Sequence, residues 1–66
     1  MKDKSLTVGI EAAIKAAGGV PQLAAELKIE RQAIYQWRRV PVPHVLHIEK
    51  RFGVPRTLLR PDVYPT

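Results

Sequence analysis

The chain is predicted to fold as a compact all-α domain of five short helices. Three observations carry that expectation. Apolar residues recur at three- and four-residue spacing, as the inward stripe of a helix requires, and no stretch alternates as a half-buried strand would. Proline and glycine cut the sequence into blocks of helix length. Apolar residues make up 45% of the 66 positions, enough for one core, so residues 1–66 are read as a single domain.

The first block covers about residues 6–17. Leu6, Ile10, Ala13, Ile14 and Ala17 form its stripe, and Gly18-Gly19 ends it, because glycine accepts the left-handed conformation of a helix terminus. A second helix opens at Pro21, where a missing N–H is harmless, and runs to Leu27 or Lys28 with Leu23, Ala24 and Leu27 inward. The third is expected from Arg31 to about Arg38, with Ala33, Ile34 and Trp37 on its buried side. Val40-Pro41-Val42-Pro43 breaks the pattern, since each proline disfavours helix in the residue before it. A fourth helix begins near Pro43, turns Val45, Ile48 and Phe52 to one face, and stops at Gly53. Pro55 starts a last short turn through Leu58 and Leu59. For the tail a strand or hairpin is the alternative, against which Pro55, Pro61 and Pro65 argue because each lacks a donor.

No run of about 20 apolar residues is present, so no membrane span is expected. The first residues do not resemble a secretory signal, and a cytoplasmic location is expected. The chain has no cysteine, so stability must come from helix packing or self-association. Eleven Lys and Arg against six Asp and Glu leave a charge of +5, which favours a polyanionic partner without choosing among DNA, RNA, an anionic membrane or an acidic protein.

Residues 20–37 narrow the choice. Two helices joined by a three- or four-residue turn cross steeply and need small side chains at the crossing. Ala24 and Ala25 supply them, Leu27 and Ile29 flank the turn, and Ile34 and Trp37 close the shared core. The outer side of the third helix carries Arg31, Gln32, Tyr35, Gln36 and Arg39, none of them acidic. Arginine can grip guanine O6 and N7 with two hydrogen bonds, and glutamine can do the same to adenine N6 and N7. Such a helix suits the major groove of DNA. Arg38 and Arg39, just before the proline-rich loop, read as clamps on the phosphate backbone.

This turn segment, Arg38-Arg39, Pro43, the helix from Val45 to Phe52 and the ending Leu59-Arg60-Pro61-Asp62-Val63-Tyr64 together resemble the small Cro-like phage repressors and related antitoxin-type regulators. The resemblance covers nearly the whole chain. It implies a five-helix or helix-plus-hairpin domain that binds operator DNA, usually as a dimer. It places base contacts at Glu30, Arg31, Gln32, Tyr35 and Gln36, and a phosphate contact at Gln22. Two positions depart from the family pattern. Lys28 stands at the turn position usually held by glycine, and Glu30 stands where a Ser or Thr usually caps the recognition helix.

The expected function is therefore that of a sequence-specific repressor binding double-stranded operator DNA as a homodimer through the helix 31–39, with no cofactor. One recognition helix covers only three or four base edges, so two copies would read half-sites about 34 Å apart. Phe52, Val54, Leu59, Val63 and Tyr64 are expected to form the dimer surface. The alternative is an antitoxin-type regulator whose tail grips a toxin partner; an RNA binder is a further rival, though A-form grooves do not readily admit a helix. Trp37 is expected in the core rather than stacked on a base. His44 and His47 lack a third ligand, so no metal site is expected. No nucleophile–base set is present, and an enzyme is not expected.

Overall fold

Helices α1 (Lys4–Ala17), α2 (Val20–Leu27), α3 (Arg31–Tyr35), α4 (Val42–Phe52) and α5 (Arg56–Leu59) follow in chain order in the computed structural model, which describes the backbone of residues 4–65 and the side chains of residues 7–65. The side chain of Leu6, expected in the first apolar stripe, lies outside the described residues. Among the described residues there is no strand: the tail after α5 is a turn, and the domain is all-α. Among the described residues no helix is long and apolar enough to cross a membrane.

Helix ends follow the punctuation in the sequence. At the end of α1, Gly18 takes φ +96°, and the N–H groups of Gly18 and Gly19 reach back to the Ile14 carbonyl at 3.1 and 2.9 Å. This closure satisfies carbonyls that a helix terminus otherwise leaves without partners. The end of α2 has the same form without a glycine. Lys28 adopts φ 59°, ψ 44°, with its N–H on the Ala25 carbonyl at 3.3 Å and that of Ile29 on the Ala24 carbonyl at 3.0 Å. Lys28 is the one non-glycine residue at positive φ among those described. Its Cβ is crowded there, so the tight turn between α2 and α3 carries strain.

The third helix is shorter than its periodicity predicts. It ends at Tyr35 rather than near Arg38; Gln36 caps it, and the Trp37 N–H closes a tighter i→i+3 turn on the Ile34 carbonyl at 3.1 Å. The chain then leaves the helix so that Val40 can reach the core, where it is fully buried. Arg38 and Arg39 consequently stand on the loop after the helix, not on the helix itself. Trp37 is half-buried: it packs on the edge of the core and stacks on His44, with ring centroids 6.0 Å apart.

Leu23, Ile48, Leu59, Val40 and Val45 are the largest fully buried side chains. They come from α2, α4, α5 and the loop before α4, and α1 covers them by packing on α2, α4 and α5. The contact between α1 and α5 is the most extensive. It is possible because Gly9 has no side chain: a Cβ there would stand 2.5 Å from the Leu59 carbonyl oxygen and 2.8 Å from that of Leu58. Neither neighbour can yield, since both belong to the backbone of α5.

The expected dimer surface does not survive this packing. Val54 and Leu59 are 7% and 0% exposed, spent on the chain's own core. Phe52 and Tyr64 are half-buried, and guanidinium groups lie over their rings, Arg51 at 5.4 Å and Arg56 at 5.7 Å. Of the five, only Val63 is exposed.

Two substitutions test these contacts. Gly9→Ala forces α1 and α5 apart and is expected to cost about 3 kcal/mol or more, seen as a large drop in the urea midpoint. Lys28→Gly relieves the left-handed turn and is expected to stabilise the fold by about 0.5–1 kcal/mol in the same assay.

Candidate nucleic-acid interface

Of the other helices, α2 is the one that α3 packs against extensively, through Ile34 and the partly buried Ala33, so the opposite side of α3 is uncovered. Helical spacing places Arg31, Gln32, Tyr35 and Gln36 on that side, and all four are exposed, Tyr35 by 68%. Arg38 and Arg39 follow, also exposed. Among the described residues, none of these six side chains takes part in an internal hydrogen bond or salt bridge. Gln22 is exposed in the first turn of α2, and its carboxamide lies over Gly19, where an added Cβ would come 2.7 Å from Gln22 Oε1. The surface therefore presents donors, acceptors and guanidinium groups that the fold does not consume.

Glu30 precedes α3 in an extended conformation, φ −76°, ψ 147°, and its side chain makes no capping hydrogen bond. Its charge still suits the positive end of a helix. So short a helix, capped weakly, depends on packing to hold its shape.

Two polar clusters hold the helix pair in place, and neither was evident from the sequence. On one flank, α4 grips α2. His47 Nε2 lies 2.8 Å from Glu26 Oε2 and Arg51 Nε lies 3.2 Å from Glu26 Oε1. The His47 hydrogen bond, with help from Arg51, holds the Glu26 carboxyl below its ordinary value of 4.5 against the opposing effect of desolvation. Such partly exposed pairs contribute little energy each, and they tie the exposed edge of α4 to α2.

The second cluster centres on Arg60, which is 7% exposed. Its Nε and Nη2 donate to the two carboxylate oxygens of Asp62 at 2.8 and 2.7 Å, and its Nη1 donates to the Val40 carbonyl at 3.0 Å. A buried guanidinium is costly unless its donors are satisfied, and here the fork is engaged on both sides. The Asp62 hydrogen bonds raise the Arg60 pKa, and the same bonds, with a smaller attraction from Arg39, lower the Asp62 carboxyl to about 2. The Arg-Pro-Asp spacing was visible as a distinctive ending; that it closes onto Val40, twenty residues away in sequence, was not.

The chain matches, over residues 10–66, the family described as Bacterial toxin YdaS. No curated protein and no solved structure matches it.

Asp62 makes folding pH-dependent with a definite sign. Its carboxyl titrates near 2 in the fold against an ordinary 3.8, so its ion pair contributes stability at pH above about 4 and that contribution is lost as pH falls toward 2. The urea midpoint is expected to fall over that window, with Glu26 adding in the same direction. Asp62→Asn should lower the midpoint at pH 6 and flatten its decline between pH 4 and 2.

Proposed function

Since the chain belongs to the bacterial toxin YdaS family, we propose that it acts as a small DNA-binding regulator, a sequence-specific repressor that occupies duplex operator DNA through the uncovered side of α3. One observation carries this reading. Arg31, Gln32, Tyr35 and Gln36 share one exposed side of a helix-turn-helix, flanked by Arg38 and Arg39, and among the described residues none of their side chains is hydrogen-bonded or ion-paired within the fold. Arg31, Gln32 and Gln36 read base edges, and Tyr35 reaches a phosphate or a thymine methyl. Gln22, Arg38 and Arg39 engage phosphates, which position the protein without reading sequence. The net charge of +5 supplies long-range attraction to the duplex.

A five-residue recognition helix spans about 7.5 Å and reaches too few base pairs for selectivity in a genome. Two copies related by a dyad, reading half-sites about 34 Å apart, meet that need. The bound pair excludes polymerase from the promoter. Binding requires no cofactor, and the protein works in the cytoplasm, where its DNA is.

The family's description favours a second reading, in which the chain inhibits growth when expressed. Growth inhibition can arise from the DNA-binding face itself or from capture of a partner protein elsewhere. An Arg31→Ala, Arg39→Ala double variant separates them: toxicity that persists after duplex binding is lost belongs to another surface.

Footprinting on DNA flanking the protein's own gene, at two salt concentrations, is the direct experiment, and paired protected half-sites are expected. Arg31→Ala should cost about 1–3 kcal/mol on the operator and relax selectivity at one base pair per half-site. Arg39→Ala should weaken all duplexes alike and make the salt dependence shallower by about one unit per subunit. Undiminished operator selectivity in Arg31→Ala would remove that residue from the base-reading set.

A further inference from the structure

The two arginines after α3 sit on an arch whose feet are both fixed. At the first foot, the Trp37 N–H is bonded to the Ile34 carbonyl at 3.1 Å and the Trp37 ring stacks on His44 of α4. At the second, the Val40 side chain is fully buried and its carbonyl accepts from Arg60 Nη1 at 3.0 Å. Between them Arg38 and Arg39 are exposed, and among the described residues their own peptide groups make no backbone hydrogen bond outside a helix. The arch therefore has no ladder of its own. Its shape is set by what holds its feet.

Arg60 is itself immobilised. Its N–H donates to the Arg56 carbonyl at 2.9 Å, and its carbonyl accepts from the N–H groups of Val63 and Tyr64 at 3.1 and 2.8 Å. Asp62, drawn back by that turn, holds the Nε–Nη2 edge of the guanidinium. Nη1 points at Val40. The chain's end thus forms a platform from which one planar cation reaches across to the loop behind the recognition helix.

We propose that Arg60 is a positioning residue for DNA binding: by fixing the Val40 carbonyl it holds Arg38 and Arg39 at the height and angle beside α3 at which they meet phosphates. What the arch meets rests on the DNA-binding reading above; what holds it rests on the hydrogen bonds of Arg60. A lysine cannot substitute. Its ammonium is a single point of charge that cannot engage both carboxylate oxygens and the carbonyl in one plane, although it preserves the net charge. Charge and geometry can therefore be separated.

The test compares the wild-type chain with Arg60→Lys and Asp62→Glu, both of which leave the net charge unchanged. Two quantities are measured well below the melting temperature of each. The first is affinity for a random-sequence 24-base-pair duplex between 50 and 200 mM salt, which reads phosphate contacts without needing the operator. The second is the heteronuclear relaxation of the amides of Arg38, Arg39 and Val40. Arg60→Lys should keep its helical circular dichroism, loosen those three amides while leaving Arg31–Tyr35 rigid, and make the slope of log K against log salt shallower by about one to two units. A folded variant with wild-type slope and a rigid arch would overturn the proposal and leave Arg60 with a purely stabilising role. Should Arg60→Lys fail to fold, Asp62→Glu keeps the guanidinium and displaces only its partner, and the same two readouts apply. If the wild-type chain binds no duplex, the DNA-binding reading fails, while the amide measurements still decide whether Arg60 holds the arch.

Discussion

A guanidinium group nearly sealed from solvent ties the tail of this small fold to the loop after α3. Removing a cation from water is expensive, and the fold tolerates it because each of the three guanidinium nitrogens donates to a carboxylate or carbonyl oxygen. Without Arg60, the Val40 carbonyl beside the core would need another donor, and a buried acceptor left unmade is itself destabilising. The constraint reaches in three directions. It ends α5, folds the last residues back through Asp62, and pins the loop that follows α3. In so short a chain, which can bury only a limited area, such a junction links segments twenty residues apart in sequence.

The same economy explains the character of the helix-turn-helix. The turn after α2 forces a lysine into a left-handed conformation, and α3 begins without a side-chain cap. Neither feature favours a stable isolated helix. What holds α3 is contact: Ile34 buried against α2, Trp37 stacked on His44, and Glu26 of α2 held by His47 and Arg51. Because packing is concentrated on the inner side, the outer side is free to be wholly polar. The core therefore draws on none of the side chains exposed on the outer side of α3.

Membership of the YdaS family and an uncovered polar helix are compatible in physical terms. The family description names an effect on cells, whereas the face of α3 concerns a molecular contact. A charge of +5 favours a polyanionic partner of any kind. On the proposed reading, the α3 side chains that can tell one base pair from another turn that general attraction into regulation. The tail does not present the apolar surface expected of a dimer, because Val54 and Leu59 complete the core and two arginines cover the neighbouring aromatic rings.

Local chemistry made much of this legible in advance. Gly18-Gly19 and Gly53 end helices because they accept positive φ, Pro21 and Pro43 begin them because they need no donor, and apolar spacing identified Leu23, Leu27, Ile34, Val45 and Ile48 as inward. The exposed side of α3 was equally readable, since helical spacing alone places Arg31, Gln32, Tyr35 and Gln36 together. Tertiary structure decided the rest. Nothing near Tyr35 says that the helix must stop there; the reason is that Val40 belongs to the shared core of α1, α2, α4 and α5, and that Arg60 donates to its carbonyl. Nor can an apolar residue such as Leu59 announce whether it will face its own chain or another; the close approach of α1 at Gly9 settled that. Periodicity records short-range sterics, which act between neighbours in sequence. Burial, and the pairing of a buried charge, depend on which distant segments come to share a space.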